Sequence, residues 1–486
     1  MKVVILTEGS KKKGFGHITR CISLYQSFKS KNIPLEFFVD GDSSVEGVLK
    51  EVDYKHFDWI ENKNDILNML NKEDIVVIDS YQANNDLFNE IENKVSFGVY
   101  LDDNKRIDYP GGLVVNPLIS AENLNYPNDE KVDYLLGSDY ALLREDFLNV
   151  PNKKINSRIG SILIILGGTD LKRLNFKILE FLVDKYGEIK KNFVIGSIND
   201  DLRQIKRIAD ENTDVVVFPD SKKILNLMLN SDIAISAGGQ TLNELARVGV
   251  PTIAINVISN QENNLKAWEN QGFIEFAGDW NDSNLLNNIH EKIELLKDEK
   301  LRFRKHIKGI EAVDGYGACK IVKLSLNKYY MKHGVLRLVN MADCYKVYEI
   351  SNEREVRDNS FNNKRIDVKE HEAWFENKVV DENTLFLVKE FDDEIIGQIR
   401  FDLNEKQSSH VSISLNKKYR GLGLSNGILE EALNFLKSKV KDIKTVKGLV
   451  KENNVNSIRM FKSLGFELKK KVDLNQEKAL EYVLNV

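Results

Sequence analysis

Short apolar runs rich in valine and isoleucine recur along the first two thirds of the chain, separated by longer amphipathic segments. Runs of this kind predict strands buried on both faces, and the segments between them predict helices. In the first part of the chain the predicted strands are residues 3–6, 35–39, 75–79, 97–102 and 113–116. The clearest helix is residues 18–31. This alternation predicts a parallel sheet with helices on its faces.

The same alternation returns between residues 155 and 330. The predicted strands are residues 161–166, 193–196, 215–219, 232–236 and 252–256, and the predicted helices are residues 202–209, 224–229 and 242–248. We therefore expect two Rossmann-like α/β domains in tandem, over residues 1–152 and 153–328.

The pattern changes near the end of the second domain. Residues 326–334 interrupt it and are predicted to be a linker. Beyond them, strands are predicted at 336–339, 385–388, 395–402, 411–415, 445–450 and about 481–484, with helices at 342–350, 368–377, 426–437 and 455–464. This mixture predicts a separate α+β domain over residues 335–486.

Composition narrows the functional classes. Of 486 residues, 42% are hydrophobic and 29% charged, which is typical of a globular protein. The net charge is −5 and no basic stripe occurs, so a nucleic-acid partner is not expected. No apolar run approaches the roughly 18 residues that span a bilayer, and the start lacks a secretion-signal pattern, so we expect a cytoplasmic protein without membrane association. The three cysteines are far apart and unlike any zinc spacing, so no metal is expected.

The first candidate site is residues 13–20, Lys-Gly-Phe-Gly-His-Ile-Thr-Arg, directly after the first strand. Gly14 and Gly16 permit a tight turn and close backbone approach. His17 falls at the start of the next helix, where free N–H groups favour an anionic ligand. A histidine beside such a ligand can act as a base near neutral pH. The alternative is a structural turn with an incidental histidine.

Other polar residues follow predicted strands of the same sheet. Asp79 and Tyr81 follow one strand, and Asp102 and Asp103 follow another. Ligands of open parallel sheets lie at the carboxyl ends of strands, which favours a functional role. Acidic residues are also common in loops and helix caps, which is the structural alternative.

Two later segments repeat the strand–glycine–helix pattern. Residues 236–244, Ser-Ala-Gly-Gly-Gln-Thr-Leu-Asn-Glu, predict a diphosphate cradle, and Glu244 is placed to accept from ribose hydroxyls or to stabilise the helix start. Asn260 and Gln261 follow the next strand in a polar cluster. Residues 415–426 place Arg420, Gly421 and Gly423 before another helix, where backbone amides can hold a pyrophosphate.

The order of motifs in the first 325 residues resembles the UDP-sugar hydrolases of pseudaminic acid synthesis. The matching segments are residues 14–17, 79–81, 102–103, 137–147, 167–170, 236–244 and 260–261, of which Tyr-Ala-Leu-Leu-Arg-Glu at 140–145 is the most specific. The resemblance implies a two-domain arrangement like that of B-type glycosyltransferases. It implies an inverting, metal-independent attack of water on UDP-2,4-diacetamido-2,4,6-trideoxy-β-L-altropyranose, with His17 as general base and catalytic roles for Asp79 and Tyr81. The residues that it assigns to the UDP-sugar are Gly14, Gly16, Arg20, Asp103, Gly168, Thr169, Asp170, Ser236, Gly239, Gln240, Glu244, Asn260 and Gln261.

The last domain resembles the GNAT family of N-acetyltransferases. Arg420-x-x-Gly423-x-Ser425 matches the family's coenzyme loop except for serine at its last position. A second motif within residues 453–466 fits the family's coenzyme-side helix. The residues that the resemblance assigns to acetyl-CoA are Leu415, Arg420, Gly421, Leu422, Gly423, Leu424, Ser425, Asn453, Asn456 and Phe461. Phe461 stands where the family often has a tyrosine that acts as general acid. Residues 357–361 and 366–371 partly resemble the acceptor region of the pseudaminic-pathway acetyltransferase, and they include His371.

Together these features predict a bifunctional enzyme that N-acetylates the 4-amino group of a UDP-linked sugar and then releases UDP from the product. One alternative is a B-type glycosyltransferase that hands the sugar to an acceptor, since the cradle permits either reaction. A second is a related hydrolase of another nonulosonic acid pathway. A third is a sugar-nucleotide sensor without catalysis.

Overall fold

Three β-sheets organise the residues that the computed structural model describes, which are 1–11, 13–167, 172–196, 201–405, 407–474 and 477–486. The chain divides into two units, unit 1 (Met1–Val322) and unit 2 (Lys323–Val486). Two of the sheets lie in unit 1 and the third lies in unit 2. Within the described ranges, no helix has both the length and the apolar character needed to cross a membrane.

The first sheet of unit 1 is parallel throughout, with strand order β3-β2-β1-β4-β5-β6-β7. Its strands are β1 (Val3–Gly9), β2 (Leu35–Gly41), β3 (Lys55–His56), β4 (Ile75–Asp79), β5 (Phe97–Leu101), β6 (Gly112–Asn116) and β7 (Val132–Leu136), and its helices are α1 (Gly16–Lys29), α2 (Lys63–Met69) and α3 (Asn85–Glu92). The five predicted strands are present. The edge strands β3 and β7 were not predicted, because they are short or carry exposed polar residues such as Asp133.

The second sheet is also parallel, with order β10-β9-β8-β11-β12-β13. Its strands are β8 (Ser161–Ile165), β9 (Lys190–Ile195), β10 (Thr213–Val217), β11 (Ile233–Ala237), β12 (Thr252–Asn256) and β13 (Ile274–Asp279). The helices that follow β8 are α4 (Leu174–Lys185), α5 (Asp201–Ile208), α6 (Ser221–Leu229), α7 (Thr241–Val248), α8 (Glu262–Gln271), α9 (Leu285–Leu295), α10 (Glu299–Ala312) and α11 (Gly317–His333).

Both parallel sheets have a point where the strand order reverses. It lies between β1 and β4 in the first sheet and between β8 and β11 in the second. All four strands are buried along their whole length. Helices that leave these neighbouring strands go to opposite faces of a sheet, which opens a crevice at the carboxyl ends and makes it the preferred ligand site of such folds.

The sheet of unit 2 is mixed, with order β14-β15-β16-β17-β18-β20-β19. Its strands are β14 (Val335–Leu338), β15 (Thr384–Phe391), β16 (Glu394–Glu405), β17 (Ser408–Leu415), β18 (Thr445–Lys451), β19 (Glu467–Leu474) and β20 (Glu477–Asn485). The helices are α12 (Cys344–Ser351), α13 (Arg354–Asn359), α14 (Val368–Val380), α15 (Leu424–Lys439) and α16 (Val455–Ser463).

One strand pair of this sheet is parallel and only partly joined. β17 and β18 pair from Ser408–Thr445 to Val411–Gly448, and there the pairing ends. On its other side, β17 continues to pair with β16 as far as Leu415. The sheet therefore splays open between the second half of β17 and β18.

The predicted linker at residues 326–334 is wrong as a description of local structure. Most of it is the last part of α11, and the division between the units falls inside that helix. Tyr329 and Tyr330 are buried and pack edge-on against Phe391, with ring centroids 5.6 and 5.4 Å apart. The aromatic residues that interrupted the polar–apolar pattern are thus core residues of unit 2, and the predicted bound at 328 differs from the division at 322.

These contacts predict where unit 2 can be cut. A fragment of residues 323–486 should fold, whereas one of residues 332–486 should be markedly less stable, because each lost buried tyrosine contributes on the order of 1.5–3 kcal/mol. Asn327, whose Nδ2 donates to the Leu422 carbonyl at 3.0 Å, is lost as well. Thermal unfolding of the two fragments compares them directly, and equal melting temperatures would contradict this account of α11.

Candidate functional site

His17 lies at the reversal point of the first sheet, in the first turn of α1. Its Nδ1 lies 2.5 Å from Oδ1 of Asp79, the last residue of β4. An imidazole that donates Nδ1–H to a carboxylate leaves Nε2 as the acceptor nitrogen. That Nε2 has no hydrogen-bond partner within the described part of the chain.

Arg20, one turn further along α1, holds two aspartates together. Its Nε and Nη2 donate to Asp79 at 2.9 and 2.8 Å, and its Nη1 donates to Asp103. The other oxygen of Asp103 accepts from Tyr81 Oη at 2.5 Å. The Tyr81 ring in turn lies edge-on to His17, with centroids 4.6 Å apart. The sequence-predicted residues His17, Asp79, Tyr81, Arg20 and Asp103 therefore form one closed network.

Burial and charge set the protonation states in this network. Burial lowers the pKa of His17, but the Asp79 carboxylate more than offsets it, so the pKa lies above its usual 6.5. Burial raises the pKa of Asp79, but Arg20 and His17 outweigh it and bring that pKa down to about 2. Burial and the neighbouring Asp103 raise the pKa of Tyr81, which keeps its hydroxyl protonated. Asp79 thus stays ionised and holds His17 in a single tautomer.

The backbone beside His17 is open. Gly14 has φ +86° and its N–H and carbonyl bond back to Ser10, which closes the turn. Gly16 is the first residue of α1 rather than part of that turn. A Cβ added at either glycine would meet no described atom within 4 Å. Space for a ligand therefore remains next to the histidine.

Arg20 differs from its predicted role in substrate contact. Its side chain is 6% exposed and its donors are taken up by Asp79 and Asp103. Its guanidinium holds the two carboxylates, which in turn bond to His17 and Tyr81.

The second predicted cradle lies at the reversal point of the second sheet, between β11 and α7. Gly239 is open, since a Cβ there would meet only Gln261 Nε2, at 3.6 Å. The Gln240 side chain is anchored by donation to the Leu142 carbonyl at 2.6 Å. Ser236 is fully buried and its hydroxyl donates to the Ile165 carbonyl, so its side chain stabilises the contact between β11 and β8. The structure thus brings Gly239 and Gln261 together, while Asn260 is exposed nearby.

Glu244 is not free to meet a ribose as the sequence suggested. It is 5% exposed, and its Oε1 accepts from Arg144 Nη2 at 2.8 Å. Arg247 of α7 also donates to the Phe147 and Leu148 carbonyls. Residues 140–148, which include the most specific segment of the sequence (140–145), therefore hold the strand-to-helix turn and α7 in place.

Phe218 is a candidate that sequence reasoning missed. It follows β10 with φ +50°, an unfavourable conformation for a large side chain, and its ring is 51% exposed. Strained exposed residues at strand ends are enriched at ligand sites. The Phe-Pro-Asp segment at residues 218–220 was the available signal.

Predicted contacts Gly168, Thr169 and Asp170 lie outside the described residues.

In unit 2, the predicted coenzyme loop joins β17 to α15 beside the splayed strands. Gly421 and Gly423 have φ +77° and +78°, and a Cβ at Gly421 would meet no described atom within 4 Å. Leu422 and Leu424 bury their side chains, so what they offer a ligand is backbone N–H. Ser425 is half-buried in the first turn of α15.

The Arg420 side chain stabilises this loop through hydrogen bonds and ion pairs. Its Nε and Nη2 donate to the Leu415 carbonyl at 2.9 and 2.7 Å, and its guanidinium pairs with Glu353 and Glu355. The predicted contacts Leu415 and Arg420 therefore shape the loop, and the glycines present its open backbone.

The other predicted coenzyme residues lie in α16 and just before it, after β18, and their settings differ from the prediction. Asn453 and Asn456 are exposed, while Asn454, which was not singled out, caps α16 by accepting from Ser457 N at 3.1 Å. Phe461 is 4% exposed, and the Cζ end of its ring lies against Gly448 of β18. A tyrosine hydroxyl at this position would meet the β18 backbone at Gly448.

No group of three or more histidine, cysteine, aspartate or glutamate side chains placed to hold a metal ion occurs within the described ranges.

Two family models match the chain. Residues 162–312 match the Glycosyltransferase family 28 C-terminal domain, and residues 335–467 match the Acetyltransferase (GNAT) domain. The chain is thus an α/β protein with parallel sheets, a domain like that of family 28 glycosyltransferases and a GNAT-fold acetyltransferase domain after it. The predicted fold class and the predicted GNAT resemblance are confirmed.

Three curated relatives are similar to part of this chain. The uncharacterized protein MJ1062 of Methanocaldococcus jannaschii is 26% identical over 268 residues, which is 52% of this chain and 55% of that protein. The spore coat polysaccharide biosynthesis protein SpsG of Bacillus subtilis is 25% identical over 68% of this chain and 99% of its own length. The UDP-2,4-diacetamido-2,4,6-trideoxy-beta-L-altropyranose hydrolase of Campylobacter jejuni is 24% identical over 54% of this chain and 94% of its own. The chain spans about half the length of the archaeal relative, and its predicted resemblance to the hydrolase is confirmed.

Proposed function

We propose that unit 1 hydrolyses a UDP-linked diacetamido-trideoxy sugar by an inverting, metal-independent attack of water. The observation that carries the proposal is the His17–Asp79 pair, in which Nε2 of His17 bonds to no described residue and lies beside the open backbone of Gly14 and Gly16. A neutral Nε2 can take the proton of a water molecule as that water attacks the anomeric carbon. Tyr81 and Asp103 border the same space and would orient the sugar.

The second sheet would hold the leaving group. Backbone N–H groups at the start of α7, exposed by Gly239, would stabilise the negative charge that develops on the departing diphosphate. Phe218 offers an exposed aromatic face for the uracil base. Because UDP leaves readily once its charge is held, the reaction requires a base more than an acid.

We further propose that unit 2 transfers an acetyl group from acetyl-CoA to the 4-amino group of the sugar-nucleotide precursor. The loop of Gly421 and Gly423 at the start of α15 would hold the coenzyme pyrophosphate, and the gap between β17 and β18 would admit the thioester arm. The two reactions are consecutive, and fusion raises the local concentration of the shared intermediate.

The hydrolase proposal is tested with purified protein and the UDP-sugar without any acceptor. NMR should show free sugar and UDP, with the first-formed anomer of inverted configuration. Release of UDP only after an acceptor is added would support the glycosyltransferase alternative instead. Tight binding without turnover would support the sensor.

The raised pKa of His17 predicts a particular pH profile. Since the base must be neutral, kcat/KM should fall as pH drops through that pKa, with a midpoint above pH 6.5. Asp79→Asn removes the carboxylate that raises the pKa, so the midpoint should move to lower pH while the plateau also falls. Asp86→Asn, an exposed aspartate of the same domain, is the matched control and should keep the wild-type profile. An unchanged midpoint in Asp79→Asn would contradict the assignment of His17 as the titrating base.

A further inference from the structure

Glu8 is a buried carboxylate one residue before the end of β1, the strand that leads into the glycine turn and His17. It is 2% exposed, and the strand residues before it are buried as well. A buried charge is costly in a folded protein unless it is paired and hydrogen-bonded. The partners of Glu8 therefore indicate why a carboxylate, and not an apolar side chain, occupies this place.

One oxygen of Glu8 holds the loop that follows β4. Its Oε1 accepts from the Tyr81 backbone N–H at 2.7 Å and from Ser80 Oγ at 3.0 Å. Both residues directly follow Asp79, the carboxylate at the end of β4. Tyr81 is therefore held at two points, by Glu8 at its backbone N–H and by Asp103 at its hydroxyl.

The other oxygen of Glu8 holds the glycine turn that follows β1. Its Oε2 accepts from Lys13 Nζ at 3.1 Å. The Lys13 backbone N–H donates to Ser10 Oγ, and Gly14 closes the turn with Ser10. Lys13 Nζ also donates to Asp40 at 2.7 Å, the residue of β2 that is aligned with Glu8. Burial lowers the pKa of Lys13, but Asp40 and Glu8 outweigh it and hold that pKa above its usual 10.5. The turn is thus attached to the sheet by a cation between two carboxylates.

Glu8 joins the two segments that carry His17 and Tyr81. The rings of these two residues lie edge-on with centroids 4.6 Å apart, and among the described hydrogen bonds none joins the two side chains directly. Their separation therefore depends on the segments to which they belong, which are the glycine turn with α1 and the loop after β4. Asp79 attaches the imidazole to the end of β4, whereas Glu8 attaches the turn and the Tyr81 backbone to each other.

We propose that Glu8 is a positioning residue of the hydrolase site, whose two carboxylate oxygens set the separation between the turn before His17 and the loop of Tyr81. Lys13 completes this connection on the side of the turn. The inference rests on the function proposed for unit 1 and deepens it, because the water and the sugar would lie between these two segments. Since a displacement of about 1 Å at a reacting group can cost on the order of 10²-fold in rate, Glu8 should affect kcat more than nucleotide binding.

The alternative is that Glu8 only stabilises the fold of the first sheet. The loop after β4 has a second attachment, since Arg106 donates to the Ala83 and Ser80 carbonyls at 2.9 and 3.1 Å. Loss of Glu8 should therefore shift this loop without unfolding it. The rate per folded molecule and the melting temperature then distinguish a positioning role from a structural one.

The test uses the full-length protein, the UDP-sugar and the variants Glu8→Gln, Lys13→Met and their combination. Glutamine keeps an oxygen for the Tyr81 N–H, but its NH₂ group cannot accept from Lys13. Both single variants remove the same bond, so each should lower kcat on the order of 10-fold, and the double variant should be no slower than the slower single one. Affinity for UDP, measured by calorimetric titration, should be unchanged because the diphosphate is proposed to bind at the start of α7.

Glu8→Ala removes both connections and should lower kcat on the order of 10²-fold. In this variant, and not in Glu8→Gln, the amides of residues 80–83 should exchange with solvent faster, because the Tyr81 N–H loses its acceptor. Glu36→Gln is the matched control, since Glu36 pairs with Lys2 at 3.3 Å at the amino end of the same sheet. It should keep the wild-type kcat and the wild-type exchange of residues 80–83.

The outcomes separate the two proposals. If wild type releases UDP and the folded Glu8 variants do so at the same kcat, with only their melting temperatures lowered, Glu8 is structural and the hydrolase function stands. If the losses of Glu8→Gln and Lys13→Met multiply in the double variant, the two residues do not act through one bond and the proposed connection is wrong. These two variants decide the matter even where Glu8→Ala does not fold. If wild type binds UDP but releases none from the UDP-sugar, the function proposed for unit 1 fails and the positioning role fails with it.

Discussion

His17→Asn should lower the rate of UDP-sugar hydrolysis on the order of 10²–10⁴-fold while leaving UDP affinity nearly unchanged. Asparagine can retain a hydrogen bond to Asp79 but cannot accept a proton from water. The diphosphate is proposed to bind at the start of α7 in the other sheet, so its binding should not depend on the imidazole. Single-turnover kinetics gives the rate, and calorimetric titration with UDP gives the affinity.

His56→Asn serves as the control for this substitution. His56 is an exposed histidine in β3 of the same sheet and takes no part in the network of His17. Its replacement should leave both rate and affinity at wild-type values. Near-normal turnover in His17→Asn would remove the histidine from the mechanism and, with UDP still bound, would favour water activation by another group.

Arg20→Met should destabilise the first sheet by about 3–5 kcal/mol, the usual cost of removing one partner from a buried ion pair. Without the guanidinium, the carboxylates of Asp79 and Asp103 lose their shared counter-ion in a site where Asp79 is 1% exposed. Hydrolysis should be lost as well, because Asp79 and Tyr81 are positioned through this arginine. Hydrogen–deuterium exchange of the β4 amides reports the local stability.

Two comparisons make the Arg20 prediction specific. Lys63→Met removes an exposed pair with Glu90 in the same domain and should cost less than about 1 kcal/mol. Arg20→Met combined with Asp103→Asn removes one of the two uncompensated charges and should recover part of the loss. The deficit of Arg20→Met should also shrink as pH falls, because the carboxylates become protonated in the variant, whereas the wild type depends on Asp79 being ionised down to about pH 2. Equal exchange rates in Arg20→Met and Lys63→Met would contradict a buried, charge-dependent network.

The part of the site that could be predicted is the part fixed by parallel-strand geometry. Strands such as β1 and β4 are apolar along their whole length, so their ends are visible in the sequence. The carboxyl ends of neighbouring parallel strands meet, so the sequence predicted that His17, Asp79 and Asp103 lie together. The glycine turns at residues 14 and 423 were predicted for the same reason, since their positive φ favours glycine.

The part that could not be predicted depends on partners distant in the chain. Glu244 has the sequence position of a residue that binds ribose, but its carboxylate pairs with Arg144, a hundred residues earlier. The sequence predicted that Arg20 contacts the substrate, but its guanidinium donates to Asp79 and Asp103 instead. Tyr329 and Tyr330 interrupt the sequence pattern of the second domain, and the sequence therefore predicted a linker there. In the structure they belong to α11, and their rings fill the core of unit 2 beside Phe391. Periodicity records which face is apolar, and it does not record which distant residue meets that face.

The gap between β17 and β18 has a consequence for how unit 2 would respond to the acetyl-CoA proposed for it. Beyond Val411, the backbone groups of β17 that face β18 pair with no strand among the described residues, so the middle of the sheet contains an edge. An extended amide-containing arm laid in that gap would complete the ladder much as an added strand does. Acetyl-CoA would then act as a structural component as well as a reactant: amides of residues 412–415 would exchange with solvent in the free protein and become protected on binding, and the melting temperature of unit 2 would rise with coenzyme concentration.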